Sequence, residues 1–149
     1  MTQYPFVGVH ILASIGAIKD LELLNNPEKI RLILEKGVKS SLAHALSWQT
    51  TIFEPQGCSV VGLLSESHLS VHTYPEHGAL FFDAFTCGLH CRPRAIFNAL
   101  LGAVESKEYC VEEFFRSAQG AVRQKHDVGI INTALFSGYE HQFRNADYE

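Results

Sequence analysis

Four short apolar runs, crowded into the middle of the chain and separated by turn signals, constrain the fold more than any other feature. They are Ser47 to Phe53, Cys58 to Leu64, His68 to Tyr74 and Ala79 to Thr86. Glu-Pro-Gln-Gly punctuates the first gap and Pro-Glu-His-Gly fills residues 75 to 78. Runs of this length suit strands, and Pro and Gly at the gaps reverse the chain. From Phe6 to Ile15 the residues are mostly apolar and partly β-branched, which suits one further strand buried on one or both faces.

Two stretches read as helices. Asn26 can cap free N–H groups, and Pro27 tolerates the first helical position, where its missing donor has no partner. Ile30, Ile33, Leu34, Val38, Leu42 and Ala45 follow at close to a 3.6-residue period, with Gly37 the weak point of the helix. Pro93 starts the second helix, with apolar positions Ile96, Ala99, Leu100 and Ala103, and a last strand covers Tyr109 to Arg116.

The order strand, helix, several strands, helix, strand argues for an α+β fold. The expected form is a two-layer sandwich, a mostly antiparallel sheet covered on one face by two helices. Beyond about Ser117 the periodicity fades, and the apolar islands Val128 to Ile131 and Ala134 to Phe136 receive no assignment. No repeat or linker divides the chain. With 149 residues, 46% of them hydrophobic, one core is expected, a single domain over residues 1–149.

Charge excludes some partners. Twelve basic against sixteen acidic residues give a net of −4, and the Lys and Arg are scattered, so there is no footprint for nucleic acid or an anionic membrane. No apolar run approaches the ~18 residues needed to span a bilayer. Cys58, Cys87, Cys91 and Cys110 lack the dense spacing of a secreted disulfide scaffold, and MTQYPFVGVH has no secretory pattern, so a reducing cytoplasm is expected.

Polar chemistry is concentrated in Leu64-Ser65-Glu66-Ser67-His68-Leu69-Ser70-Val71-His72-Thr73-Tyr74-Pro75-Glu76 and in Asp83-Ala84-Phe85-Thr86-Cys87-Gly88. Each polar group in such an apolar setting costs roughly 1–3 kcal/mol if unpaired, so their accumulation asks for a reason. The strings SESHLSVHTYPE and DAFTCG resemble the processing and active-site signature of the short prokaryotic S-adenosylmethionine decarboxylases. More loosely, the similarity runs from Gly8-Val9-His10 through the second helix.

The resemblance implies a self-processing, pyruvoyl-dependent enzyme. Ser67 Oγ attacks the carbonyl of Glu66, and the resulting ester eliminates to give chains 1–66 and 67–149. The dehydroalanine left at the start of the second chain hydrolyses to a pyruvoyl group and ammonia, and the pyruvoyl forms a Schiff base with a substrate α-amine and draws electrons from Cα as carbon dioxide leaves. Neither pyridoxal phosphate nor a metal is then required. By resemblance, His72 and Ser59 assist processing and Cys87 protonates Cα. Phe53 and Tyr74 supply aromatic faces for adenine, Leu69 backbone groups touch its edge, and Glu76 accepts the ribose hydroxyls. The family also implies a homodimer of processed protomers with active sites at the interface, so that Phe53 serves the neighbouring pocket. A sheet covered on one face gives a physical motive for pairing.

Relatives of the same fold decarboxylate ornithine or arginine, which leaves the substrate open between S-adenosylmethionine and a basic amino acid. Relatives tend to carry a carboxylate, an aromatic and a Cys in the first strand where this chain reads Ala13-Ser14-Ile15-Gly16-Ala17-Ile18. Two further readings compete. One is a metal-binding module using His68, His72, Cys87, His90 and Cys91, although these lack a recognised zinc spacing. The other is an unprocessed, inactive relative acting through an active partner. Strand alternation places His68, Ser70 and His72 on one face and Ser67 on the other, so only a kink or bulge at the start of the motif would bring Ser67 and His72 together.

Overall fold

The structure is a computed structural model, and it describes residues 7–88 and 90–129. In chain order its elements are β1 (Gly8–Gly16), α1 (Leu21–Leu24), α2 (Pro27–Ser41), β2 (Ala45–Ile52), β3 (Cys58–Leu64), β4 (Ser67–Tyr74), β5 (Ala79–Cys87), α3 (Arg94–Val104), β6 (Glu108–Ser117) and β7 (Gly120–Val128). A single 3-10 turn, Pro75–His77, joins β4 to β5. All seven strands form one antiparallel sheet in the order β2-β3-β4-β5-β1-β6-β7. The α+β architecture with helices on one face is the expected one.

Local chemistry explains the helix ends. The Asn26 side chain accepts the Lys29 N–H at 3.0 Å, Pro27 occupies the first turn, and α2 stops where Leu42 turns left-handed at φ 64°. That stop lies short of Ala45, the last position of the expected helical stripe, and Ala45 instead opens β2. The one-turn α1 is capped by Asp20, whose side chain accepts the Leu23 N–H at 3.0 Å.

Alternation along the strands sets the core. Ile11, Ala13 and Ile15 of β1, Val60 and Leu64 of β3, Leu69 and Val71 of β4, and Leu80, Phe82 and Ala84 of β5 are buried on the helix side. Against them pack Ile30, Leu34 and Val38 of α2 and Ile96, Phe97 and Leu100 of α3. Phe97 is fully buried, its ring centroid 5.9 Å from Phe82 and 5.8 Å from Tyr109. Burying one such side chain contributes roughly 1.5–3 kcal/mol.

Further features depart from the sequence reading. The strand after Ser117 is β7, paired to β6 at the edge of the sheet. The possible start of β1 at Phe6, and the islands at residues 130–131 and 134–136, lie outside the described residues. The expected weak point at Gly37 is a contact: a Cβ there would stand 2.8 Å from Ile96 Cα, so glycine lets α2 and α3 approach backbone to backbone. Gly102 in α3 is exposed and has nothing within 4 Å of such a Cβ.

Opposite effects follow for these two glycines. Gly37→Val should lower stability by about 1–3 kcal/mol through overpacking against backbone, whereas Gly102→Ala should raise it by about 0.5–1 kcal/mol. Urea unfolding of each variant followed by circular dichroism measures both, and a Gly37→Val chain as stable as the parent would contradict the close crossing.

Candidate active site

Because helices cover one face, strand parity sends the polar residues of the motif to the other. His68, Ser70, His72 and Tyr74 of β4 alternate with the buried Leu69, Val71 and Thr73. Asp83, Phe85 and Cys87 of β5, His10, Leu12 and Ser14 of β1, and Cys110, Glu112 and Arg116 of β6 share that uncovered face by register. Leu12, Val61, Leu63 and Phe81 are 41–53% exposed there. A cleft of about 430 Å³ opens on this face, lined among others by Leu12, Ser70, His72, Phe81, Asp83 and Glu112.

The turn between β3 and β4 consists of two residues, Ser65 and Glu66, with Leu64 paired to Ser67. Two-residue hairpin turns match strand twist through positive φ, normally supplied by Gly or Asn. Here the positive φ falls on Ser67, at 151°, a conformation that costs a non-glycine residue on the order of 1–3 kcal/mol. This is the kink that alternation requires, and it takes Ser67 Oγ to His68 Nδ1 at 3.1 Å, not to His72.

The turn before Ser67 is held by hydrogen bonds to Cys87 and His44. The Cys87 N–H donates to the Glu66 carbonyl at 3.1 Å, and the Ser65 N–H donates to the His44 carbonyl at 2.9 Å. The Glu66 carboxylate accepts the His44 N–H and bonds His44 Nδ1, both at 3.0 Å. Burial acts to raise the Glu66 carboxyl, but the hydrogen bonds from His44 outweigh it and bring the pKa down to about 2. Thr86, paired with Ser67 across β4 and β5, has a buried hydroxyl that lacks a partner among the described residues.

A polar cluster backs Ser67. Asp83 Oδ2 lies 3.0 Å from His68 Nε2 and 2.9 Å from His10 Nε2, and Ser70 Oγ donates to Asp83 Oδ1. Arg116 reaches His10 Nδ1 at 3.0 Å and stacks over Phe85. Burial works to raise the Asp83 carboxyl, yet the bonds from Ser70, His10 and His68 leave it below the ordinary carboxylate range. Cys87 lies at the same end, opposite Gly8, where a Cβ would come 3.1 Å from its Sγ.

The remaining residues singled out from the sequence gather at the other end of the sheet. Ser59 Oγ and His72 Nδ1 are 2.6 Å apart across β3 and β4. Tyr74 packs edge-on to Phe81, with ring centroids 5.4 Å apart. Phe53 follows β2 and is 49% exposed, and Glu76 sits in the 3-10 turn after Tyr74. His72 is five residues along β4 from Ser67, about 17 Å at ~3.3 Å per residue. Leu69, fully buried, belongs to the Ser67 end. One chain therefore does not bring Ser59, His72, Phe53, Tyr74 and Glu76 to Ser67 and Cys87.

The five residues of the metal-module reading do not converge either: among the described residues, the group containing His68 that could hold an ion pairs it with His10 and Asp83. Burial raises the thiol pKa of Cys58, Cys91 and Cys110. Sequence reasoning passed over Arg116 and His44, and it assigned no individual role to His10, Asp83 or Thr86 although they lie in or beside the motifs. A charged Asp83 between Phe82 and Ala84 was the available signal, but its partners depend on register.

Residues 9–117 match the family model for S-adenosylmethionine decarboxylase. The S-adenosylmethionine decarboxylase proenzyme of Aquifex aeolicus is 42% identical over 125 residues, 84% of this chain and 83% of that protein. The proenzyme of Picrophilus torridus is 32% identical over 129 residues, 87% of this chain and 95% of that one. Proenzyme 2 of Bacillus cereus is 32% identical over 114 residues, 76% and 92% of the two chains. The crystal structure of adenosylmethionine decarboxylase from Aquifex aeolicus VF5 superposes with a TM-score of 0.67 at 29% identity, covering 87% of this chain and 96% of that one.

The anchored turn has a pH signature. With the Glu66 carboxylate favoured in the fold, its stabilisation is complete above the ordinary 4.5 and is lost as pH falls toward about 2. His44→Ala should move the Glu66 titration back up toward 4.5 and shift the acid loss of stability with it. Carboxyl carbon NMR follows the titration; an unmoved Glu66 would mean that His44 does not hold the turn.

Proposed function

The chain belongs to the S-adenosylmethionine decarboxylase family, a family of carboxy-lyases, and on that premise we propose that it is a proenzyme that cuts itself between Glu66 and Ser67 and then decarboxylates S-adenosylmethionine. The observation that carries the reading is the Glu66 carbonyl, which accepts the Cys87 N–H at 3.1 Å while the next residue, Ser67, is held at φ 151°. A donor so placed stabilises the oxyanion that forms when Ser67 Oγ adds to that carbon, and such a donor is worth about 10²–10³ in rate. The ornithine and arginine readings lose favour, because the relatives and the solved structure at this similarity are named for adenosylmethionine.

The surroundings fit a pyruvoyl group at residue 67. Its carbonyl oxygens are acceptors, and the buried Thr86 hydroxyl opposite Ser67 is a donor that lacks a partner among the described residues. That group supplies the electron sink for loss of carbon dioxide. The half-buried Cys87 returns a proton to the substrate Cα. Phe53 and Tyr74 stack on adenine, the Leu69 main chain meets its edge, and Glu76 accepts the ribose hydroxyls.

The division of these groups between two ends of the sheet supports a homodimer. Two copies packed through their uncovered faces in opposite directions would bring the Ser59 and His72 pair, with Phe53, Tyr74 and Glu76, to the Ser67 of the other copy. The exposed Leu12, Val61, Leu63 and Phe81 give that face the apolar surface for such contact. Four unpaired cysteines agree with a reducing cytoplasm. No helix among the described residues is long and apolar enough to cross a membrane.

Denaturing mass spectrometry of the purified chain should give two polypeptides, and Ser67→Ala one uncut, inactive polypeptide. Carbon dioxide release should follow from S-adenosylmethionine and not from ornithine or arginine, and Cys87→Ala should lose turnover while keeping binding. In the dimer, His72→Ala alone stays uncut, but co-expression with Ser67→Ala should cut a share of its chains, since each variant supplies what the other lacks. Cleavage of His72→Ala on its own would remove His72 from processing.

A further inference from the structure

His72 is about 17 Å from Ser67 on the same strand, while another imidazole lies against the Ser67 hydroxyl. We propose that His68 is the base that takes the Ser67 proton when the Glu66–Ser67 peptide bond rearranges, and that Asp83, His10 and Arg116 position it. The proposal rests on the self-processing reading above and assigns its first proton transfer.

The protonation states follow from donor and acceptor chemistry. Arginine has only donors, so His10 Nδ1, 3.0 Å from Arg116, must be an acceptor, and the His10 proton lies on Nε2. That N–H donates to Asp83 Oδ2 at 2.9 Å. The Asp83 carboxylate only accepts, and Ser70 Oγ donates to its other oxygen. His68 Nε2, 3.0 Å from Asp83 Oδ2, is therefore also a donor. In neutral His68 the lone pair is then on Nδ1, which faces Ser67 Oγ at 3.1 Å, within general-base reach. Three donors fix Asp83 in place and Arg116 fixes His10, so the His68 ring has one tautomer and one orientation. The imidazolium formed on proton uptake is paired at once with the Asp83 carboxylate.

The step balances without an external reactant. The Ser67 Oγ–H bond breaks and its proton goes to His68 Nδ1 as Oγ bonds to the Glu66 carbonyl carbon. The oxyanion is met by the Cys87 N–H. The Glu66–Ser67 C–N bond then breaks, the nitrogen takes the proton back from His68, and the peptide has become an ester with His68 neutral again. His68 touches the reacting atom. Asp83 and His10 act through it as positioning residues.

Ester and amide differ toward hydroxylamine, which cleaves the ester and spares the peptide. Purified wild-type, His68→Gln, Asp83→Asn and Asp83→Glu chains are followed over time by denaturing gel, with and without hydroxylamine. His68→Gln should remain whole and hydroxylamine-resistant, its cleavage slowed about 100-fold or more. Asp83→Asn should be slowed at least about tenfold and also resist hydroxylamine, while Asp83→Glu, which keeps the charge, recovers part of the rate. Equal rates in the two Asp83 variants would make Asp83 structural and overturn the positioning role. A His68→Gln chain cut within about threefold of wild type, or arrested as a hydroxylamine-labile ester, would overturn the role of His68. If His68 substitution costs the fold, the Asp83 pair reads out the same relay. A wild-type chain that stays whole defeats the self-processing reading itself, so the two failures are distinguishable.

Discussion

One-sided coverage of the sheet is the constraint on which the remaining structure depends. Ile30, Leu34 and Val38 of α2 and Ile96, Phe97 and Leu100 of α3 seal one face with a dry core. Strand parity then leaves the other face to His10, His68, Ser70, His72, Asp83 and Glu112. A charged or imidazole side chain on the sealed face would have to be desolvated among aliphatic groups at a cost of several kcal/mol. On the open face it keeps water or a polar neighbour. The same parity leaves Leu12, Val61, Leu63 and Phe81 exposed among them, so this surface is polar enough for chemistry and apolar enough for a partner.

The turn into β4 concentrates strain at Ser67, the residue proposed to react. Ser65 and Glu66 bridge two central strands without a glycine or asparagine, and the positive φ that the hairpin twist demands falls on Ser67. The neighbours leave little room to relax. β3 and β5 flank β4 on both sides, and His44 grips Glu66 through two hydrogen bonds. A similar economy operates between the helices, where Gly37 replaces a side chain with direct approach to the Ile96 backbone.

Much of this fold was legible in the sequence, for identifiable reasons. Pro and Gly at residues 54–57 and 75–78 marked the strand ends, and Asn26-Pro27 marked the start of α2 with its capping bond. β7 was not legible because nearly all of it is exposed: Val122, Arg123 and Lys125 lie on an edge strand with no buried face to impose a two-residue period. The central place of β1 between β5 and β6 is a long-range pairing that local patterning cannot encode. It is also what brings His10 to Asp83, across 73 residues of sequence. SESH and DAFTCG identified Ser67 and Cys87 as candidates, but their link, the Cys87 N–H on the Glu66 carbonyl, is a backbone bond with no side-chain signature. The contact of Ser67 with His68 required a positive φ at a serine, which residue type argues against.

The relative sizes of the effects at Ser67 decide what the site must supply for the proposed self-cleavage. Strain of roughly 1–3 kcal/mol, even if released fully in the transition state, amounts to a factor of about 5–150. A backbone donor on the developing oxyanion is worth about 10²–10³, and a positioned base about 10²–10⁴. Strain is therefore the smallest of the three, and a strained peptide alone would persist for far longer than the life of a cell, as amides do. What the Ser67 conformation contributes is placement. It turns Oγ out of the strand's alternation and onto His68 Nδ1, while the same peptide keeps its carbonyl on the Cys87 N–H. The backbone cost is thereby converted into alignment of the proposed nucleophile, base and oxyanion donor, whose effects multiply. Removing any one of the three should thus cost more than the strain ever contributed.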